Sequence, residues 1–171
     1  MTVLSVAQHL VEGNPESPVK VLVYEDLQCG DCLALRTLLD QVVLPRFGAQ
    51  IAVEHRDFPL AKHPWAWPAA VAARHFERVN AETGLAFRRY AMENPRAITL
   101  ESLNGHLKKF GGAPLGDAGL HQLVDADHQE GVARGVVKTP TVFVNGVRFV
   151  ERFPIEALTQ AIENAITEQG R

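Results

Sequence analysis

Only two cysteines occur in this 171-residue chain, and they stand three positions apart, in Cys29-Gly30-Asp31-Cys32, where the hydrophobic pattern changes period. Before them runs VKVLVYED, β-branched and aromatic enough to read as a buried strand over Val19 to Tyr24. After them runs LALRTLLDQVVL, in which Leu35, Leu38, Leu39 and Val42 recur at helical spacing. The cysteine pair therefore sits where a strand hands over to a helix.

The first turn of a helix offers N–H groups without intrahelical partners and the positive end of the macrodipole, so it stabilises a thiolate. A free cysteine titrates near ~8.5, and the first cysteine of such a motif falls to between ~3.5 and ~7.5. Cys29 is thus expected to be the attacking thiolate. Cys32, inside the helix and more enclosed, is expected to resolve the mixed disulfide that Cys29 forms. Packed thiols, or half of a zinc site, are the other readings of the same pair. With every cysteine of the chain in one Cys-x-x-Cys, redox chemistry is favoured.

Composition excludes several classes of partner. A net charge of -3, with 17 basic residues scattered among 20 acidic ones, gives no electrostatic case for nucleic acid or an anionic membrane. The opening MTVLSVAQHLVEG has no basic n-region or long apolar core, and no apolar run approaches ~20 residues. The expectation is a cytoplasmic protein, although a chain shorn of a secretion signal would read the same. Its length suits a single domain, 1–171, that buries most of its apolar surface.

Along the chain, Met1 to Leu10 reads as a short strand or helix at a sheet edge, and Gly13-Asn14-Pro15-Glu16-Ser17-Pro18 as a loop. The helix after Cys32 should end or kink near Pro45, with Gly48 as a stop, and Ile51 to His55 alternates as a second strand. Strand, helix, strand makes a parallel, right-handed βαβ unit, and the cysteines lie beyond the carboxyl end of its first strand. A helical region, about 65–135, follows. Pro68 opens one helix, Leu85 to Ala91 form a short second, Thr99 caps a third through Leu100, Leu103, Leu107 and Phe110, and Asp117 caps a fourth. Val142-Phe143-Val144 and Val147-Arg148-Phe149-Val150 then flank Asn145-Gly146, a type I′ hairpin signal, and Pro154 opens a last helix. The order is a βαβ half, a helical insertion and a ββα half. One α/β domain accommodates it, since neither half of the sheet buries its faces alone.

Thr139-Pro140 stands just before the hairpin, where a proline belongs because it cannot donate to a ladder. The set YEDLQCGDC, EHRDFPLAKHPWAWPAAVAA and KTPTVFVNG resembles the DsbA-like branch of the thioredoxin superfamily, over nearly the whole chain from Gly13 onward. The resemblance implies a thioredoxin-like fold with a helical insertion and thiol–disulfide oxidoreductase activity without a cofactor or metal. It further implies a cis peptide at Thr139-Pro140 beside Cys29, with Gly30, Asp31, Thr139 and Pro140 forming the surface that meets substrate. Implied partners are protein or peptide thiols and disulfides, with glutathione or a thioredoxin-type protein as electron donor. Trp65, Trp67 and Phe58 are candidates for lining an apolar groove, or else are core.

This sequence departs from that pattern at three places. Val23 stands where relatives hold a buried acid beneath the disulfide; Glu25 points to the same side of the strand but is expected to be a solvated rim carboxylate. Gly30-Asp31 replaces the Pro-His or Pro-aromatic dipeptide of oxidising relatives, and the Asp31 anion disfavours the neighbouring thiolate. Lys138 stands in place of a small residue and is expected to be solvated. His55, His63, His75 and Asp57 are read as structural or surface residues. Three other functions compete with exchange: a zinc-binding module on Cys29 and Cys32, a redox-inactive partner-binding protein on a thioredoxin scaffold, and a glutathione-conjugating activity. The zinc reading lacks a following His-x3-5-His, since His121 and His128 are too far apart.

Overall fold

The computed structural model describes residues 1–5 and 7–171. Its centre is strand β3, Lys20–Glu25, in which Val21 and Val23 turn to one face and Leu22 and Tyr24 to the other. Strand β4, Ala52–Asp57, lies parallel to it, with Val23 opposite His55 and Glu25 opposite Asp57. Between them run α1, Gly30–Leu38, a wider turn over Leu39–Val43, and α2, Leu44–Phe47, ending at Gly48. The wide turn precedes Pro45, where the ring and the missing N–H disfavour an ordinary helical turn; the Leu44 N–H reaches back to the Leu39 carbonyl.

The amino-terminal stretch resolves into two short strands, β1, Thr2–Leu4, and β2, Leu10–Gly13, paired with each other. The part of the expected edge element that falls on Val6 lies outside the described residues. Gly13 is not the start of the loop, because it pairs with Ala52 at the end of β2. On the other side of β3, β5, Thr141–Val144, runs antiparallel and turns through Asn145-Gly146 into β6, Val147–Val150. Both turn residues have positive φ, 46° and 82°, as a type I′ turn requires. The sheet order is β1-β2-β4-β3-β5-β6.

Helix α7, Ile155–Gln169, begins after Pro154 and places Leu158, Ile162 and Ala165 beside Leu35, Leu39 and Val43 on the Val21 face of the sheet. The opposite face carries α6, Ala118–Ala133, capped by the Asp117 carboxylate on the Leu120 N–H. Gly131 on α6 lets the chain pass over the Phe58 ring, which a Cβ there would meet at 2.6 Å.

Three further helices lie between β4 and α6: α3, Ala66–Val79, α4, Ala81–Glu93, and α5, Leu103–Leu107. Two boundaries differ from the sequence reading. Asn80 caps α4 by accepting from the Thr83 N–H, so that helix starts a turn before Leu85. Thr99 does not cap α5, because its hydroxyl and that of Ser102 satisfy each other's backbone N–H groups in a turn outside the helix. Leu100 is left exposed there.

Where the helices meet the ends of β3 and β4, the layer is ionic. Arg88 on α4 donates to Glu77 at 2.5 Å and to Asp57 at 2.9 Å, and Arg74 on α3 donates to Asp57 at 2.7 Å and Asp127 at 2.5 Å. All five side chains are buried. The Asp57 carboxylate opposes its own desolvation through the two guanidinium groups, which hold its pKa down at about 2. Removing one member leaves its partners charged and dry. Arg88→Met should therefore cost ~3–5 kcal/mol in denaturant unfolding, whereas Arg89→Met, which breaks an exposed pair with Asp40, should cost under ~1 kcal/mol.

Candidate active site

The site is built on the turn that carries β3 into α1. Asp26 ends the strand with its carboxylate wholly enclosed, accepting from the Gln28 N–H at 2.7 Å, the Leu60 N–H at 2.8 Å and His63 Nδ1 at 2.7 Å. The Gln28 side chain accepts from the Trp65 N–H at 3.1 Å. These bonds fix Cys29 as the N-cap of α1, in extended conformation, with α1 starting at Gly30.

The two sulfurs have unlike surroundings. Cys29 is half-buried and its Sγ lies 3.4 Å from the Thr139 carbonyl oxygen. Cys32 is enclosed by Leu27, Trp65, Ala69 and Phe76, part of the core of the helical insertion, and its Sγ accepts from the Asp26 N–H at 3.4 Å. A hydrogen bond with Cys32 lowers the Cys29 pKa to about 6 against the opposing effect of burial, with help from Thr139 and the N–H groups of Cys32 and Asp31. Burial pushes the Cys32 thiol well up, and the neighbouring Cys29 sulfur pushes the same way. One cysteine is thus an accessible thiolate near neutral pH and the other a buried thiol.

The Thr139-Pro140 peptide is cis, and Thr141 continues from it into β5 opposite Tyr24. A cleft of about 740 Å³ opens over Cys29, bordered by Gly30, Asp31, Leu60, His63, Lys138 and Thr139, among others. Gly30 has open space where a side chain would be. Asp31 is paired with Arg152 at 2.9 Å, so its anion is offset beside the thiolate. Lys138 is exposed and reaches Glu151 at 3.4 Å.

Several sequence expectations are corrected here. Glu25 is not a solvated rim carboxylate: it is buried, 2.8 Å from His55 Nδ1 and 3.4 Å from Arg88, because the insertion covers the end of β3. Val23 is apolar core. His55 bridges Glu25 and Glu12, each at 2.8 Å, and these carboxylates outweigh burial and raise its pKa to about 9. Of the two readings open for Trp65 and Phe58, the structure bears out core, Phe58 lying stacked on His128 with centroids 4.4 Å apart. Trp67 donates to His121 at 3.0 Å and does not border the cleft. His63 was read with the other histidines as structural or surface, yet it borders the cleft beside Cys29. The sequence signal for it was the DFPL and HP pairs, which carry Leu60 and His63 to Asp26. The described residues gather no group of three or more potential metal ligands.

Residues 5–164 match the profile of the thioredoxin family. The chain belongs to that family. Its thioredoxin fold is similar to that of Proteus mirabilis ScsC in a transitional conformation, with a TM-score of 0.83 and 14% identity, covering 97% of this chain and 76% of that one. It is also similar to a periplasmic thioredoxin-like protein from Salmonella enterica serovar Typhimurium, with a TM-score of 0.81, 18% identity and coverage of 96% and 94%. The thiol-disulfide exchange protein alpha-DsbA2 from Wolbachia pipientis gives a TM-score of 0.76 and 20% identity, over 90% of this chain and 85% of that one. Among curated proteins, the Na(+)/H(+) antiporter NhaA 1 of Mycolicibacterium gilvum (strain PYR-GCK) is 28% identical over 170 residues, covering 90% of this chain. The chain spans only 26% of that relative's length.

The sulfur asymmetry has a direct readout in this thioredoxin-family chain. Alkylation of the reduced protein at Cys29 should rise with pH through about 6 and level off by neutral pH, while Cys32 stays unmodified until the protein unfolds. A single inflection in the ordinary cysteine range, measured by mass-resolved iodoacetamide labelling, would contradict the geometry described.

Proposed function

We propose that this chain is a DsbA-like thiol–disulfide oxidoreductase that exchanges its Cys29–Cys32 dithiol or disulfide with protein or peptide substrates. The observation that carries this reading is the contrast between the two sulfurs, an accessible Cys29 with a lowered pKa and an enclosed Cys32 with a raised one. A reversible dithiol needs that asymmetry, since the first sulfur must attack and be attacked while the second waits. The naming of one structural relative as a thiol-disulfide exchange protein adds support.

In the reducing direction the Cys29 thiolate attacks one sulfur of a substrate disulfide, and the other substrate sulfur leaves as a thiolate. Cys32 then loses its proton and attacks Cys29 Sγ, closing the intrachain disulfide and releasing the second substrate thiolate. The same steps run backwards when the protein oxidises a dithiol. Thr139 offers its carbonyl beside Cys29 as a docking point for extended substrate, Pro140 has no N–H to compete there, and Gly30 leaves the approach open. Glutathione or a thioredoxin-type protein completes the cycle.

The roles are separable by substitution. Cys32→Ser should accumulate mixed disulfides with substrate on non-reducing gels, and Cys29→Ser should not; equal trapping by both would reverse the assignment. Equilibration in glutathione buffers gives the midpoint potential, and comparing it with the potential of the compartment fixes the direction of electron flow.

A further inference from the structure

Beside Cys29, the cleft holds one imidazole whose orientation is already fixed. His63 Nδ1 lies 2.7 Å from Asp26 Oδ2, and that oxygen also accepts from the Leu60 N–H at 2.8 Å. Oδ1 accepts from the Gln28 N–H at 2.7 Å. A carboxylate accepts and cannot donate, so Nδ1 carries the hydrogen and donates it to Asp26, and the neutral ring keeps its lone pair on Nε2. Among the described residues, His63 has only that one side-chain partner. The ring is partly exposed, at 21%, on the wall of the cleft that Cys29 and Thr139 also border. A buried carboxylate fixing one nitrogen of a partly open imidazole, on the wall of a cleft that a nucleophile also borders, is an arrangement suited to moving protons.

We infer that His63, oriented by Asp26, is the general base for substrate thiols entering this cleft, and the general acid when they leave. The inference rests on the thiol–disulfide exchange reading and adds a proton carrier to it. When the protein is oxidised, a substrate thiol gives its proton to His63 Nε2 and its sulfur attacks Cys29 Sγ. The Cys29–Cys32 bond breaks, and the electron pair goes to Cys32 Sγ. Cys32 ends as a thiol, so the proton passed to His63 is balanced by the one that Cys32 takes up, through solvent at the mouth of the cleft. In the reverse step the imidazolium returns a proton to the departing substrate sulfur. Asp26 is a positioning residue, acting only through the ring.

Other charged groups border the same cleft and bear on the proton. Lys62, Lys138 and Arg152 favour a departing thiolate, while Asp31 and Glu151 oppose it, and the latter two are each paired with one of those cations. Among the described residues bordering the cleft, His63 is the one imidazole.

The test uses the oxidised protein and two small thiols of unlike acidity. 2-Mercaptoethanol is almost wholly protonated at neutral pH and needs a base; 2,2,2-trifluoroethanethiol is far more acidic, is largely ionised at slightly alkaline pH, and needs one much less. His63→Asn keeps an N–H donor where Nδ1 stood, so Asp26 stays bonded, and lacks a group at Nε2. With each thiol in excess at slightly alkaline pH, the rate of loss of the Cys29–Cys32 disulfide, read by acid quench and mass spectrometry, should fall roughly tenfold or more with 2-mercaptoethanol and stay within about twofold with 2,2,2-trifluoroethanethiol. His63→Gln, which offers a different geometry, should show the same selectivity. Equal slowing with both thiols, no slowing with either, or failure of both variants to fold would assign His63 to structure and overturn the inference. A wild-type protein that reacts with neither thiol would instead sink the exchange reading itself.

Discussion

The carboxylate of Asp26 ties together the parts on which the site depends. It sits at the end of the central strand, where the chain must leave β3 and begin α1, and it receives N–H groups from the turn and from the segment after β4. Each bond satisfies a partly buried donor, and a charged acceptor makes each stronger than a neutral one. The same backbone supplies the Asp26 N–H to Cys32 Sγ. One residue, through its side chain and its backbone N–H, thus sets the start of the helix, one wall of the cleft and the place of the second sulfur.

Burial of charge is the other theme, and it follows from the helical insertion. Packed over the ends of β3 and β4, the insertion encloses Cys32 in its own apolar core and also covers Glu25 and Asp57. Such carboxylates are tolerable only with partners, and Arg74, Arg88 and His55 supply them, as Arg36 and His55 do for the buried Glu12. For His55, a pKa raised to about 9 contributes stability fully present below the ordinary histidine value and lost as pH rises through about 9. Glu12, held down to about 2 by His55 and Arg36 against its burial, contributes stability that disappears as pH falls through that value. The network is therefore matched to a broad middle range of pH.

Much of this was legible from residue patterns. The period change around Cys29 placed the strand and helix, Asn145-Gly146 placed the hairpin, and Asp117 placed the start of α6. What escaped was mostly a matter of partners distant in sequence. Nothing local tells Glu25 that α4 will bring Arg88 over it, so alternation alone left it at a solvated rim. The aromatic stretch at Phe58 and Trp65 carries no signal separating a groove from a core, and close packing against α6 and the insertion decided for core. His63 was hidden for the opposite reason, since its meaning lies in one bond to a residue 37 positions earlier. Thr99 shows a third kind of failure: a hydroxyl suited to capping was captured by its neighbour Ser102.

The sheet also ends well. Its two rims are β1, of three residues, and β6, of four, and the chain turns away from β6 at once through Glu151, whose φ is 56°. Such abbreviated borders give a neighbouring molecule almost no ladder to extend, so the sheet avoids becoming a template for its own fibrils.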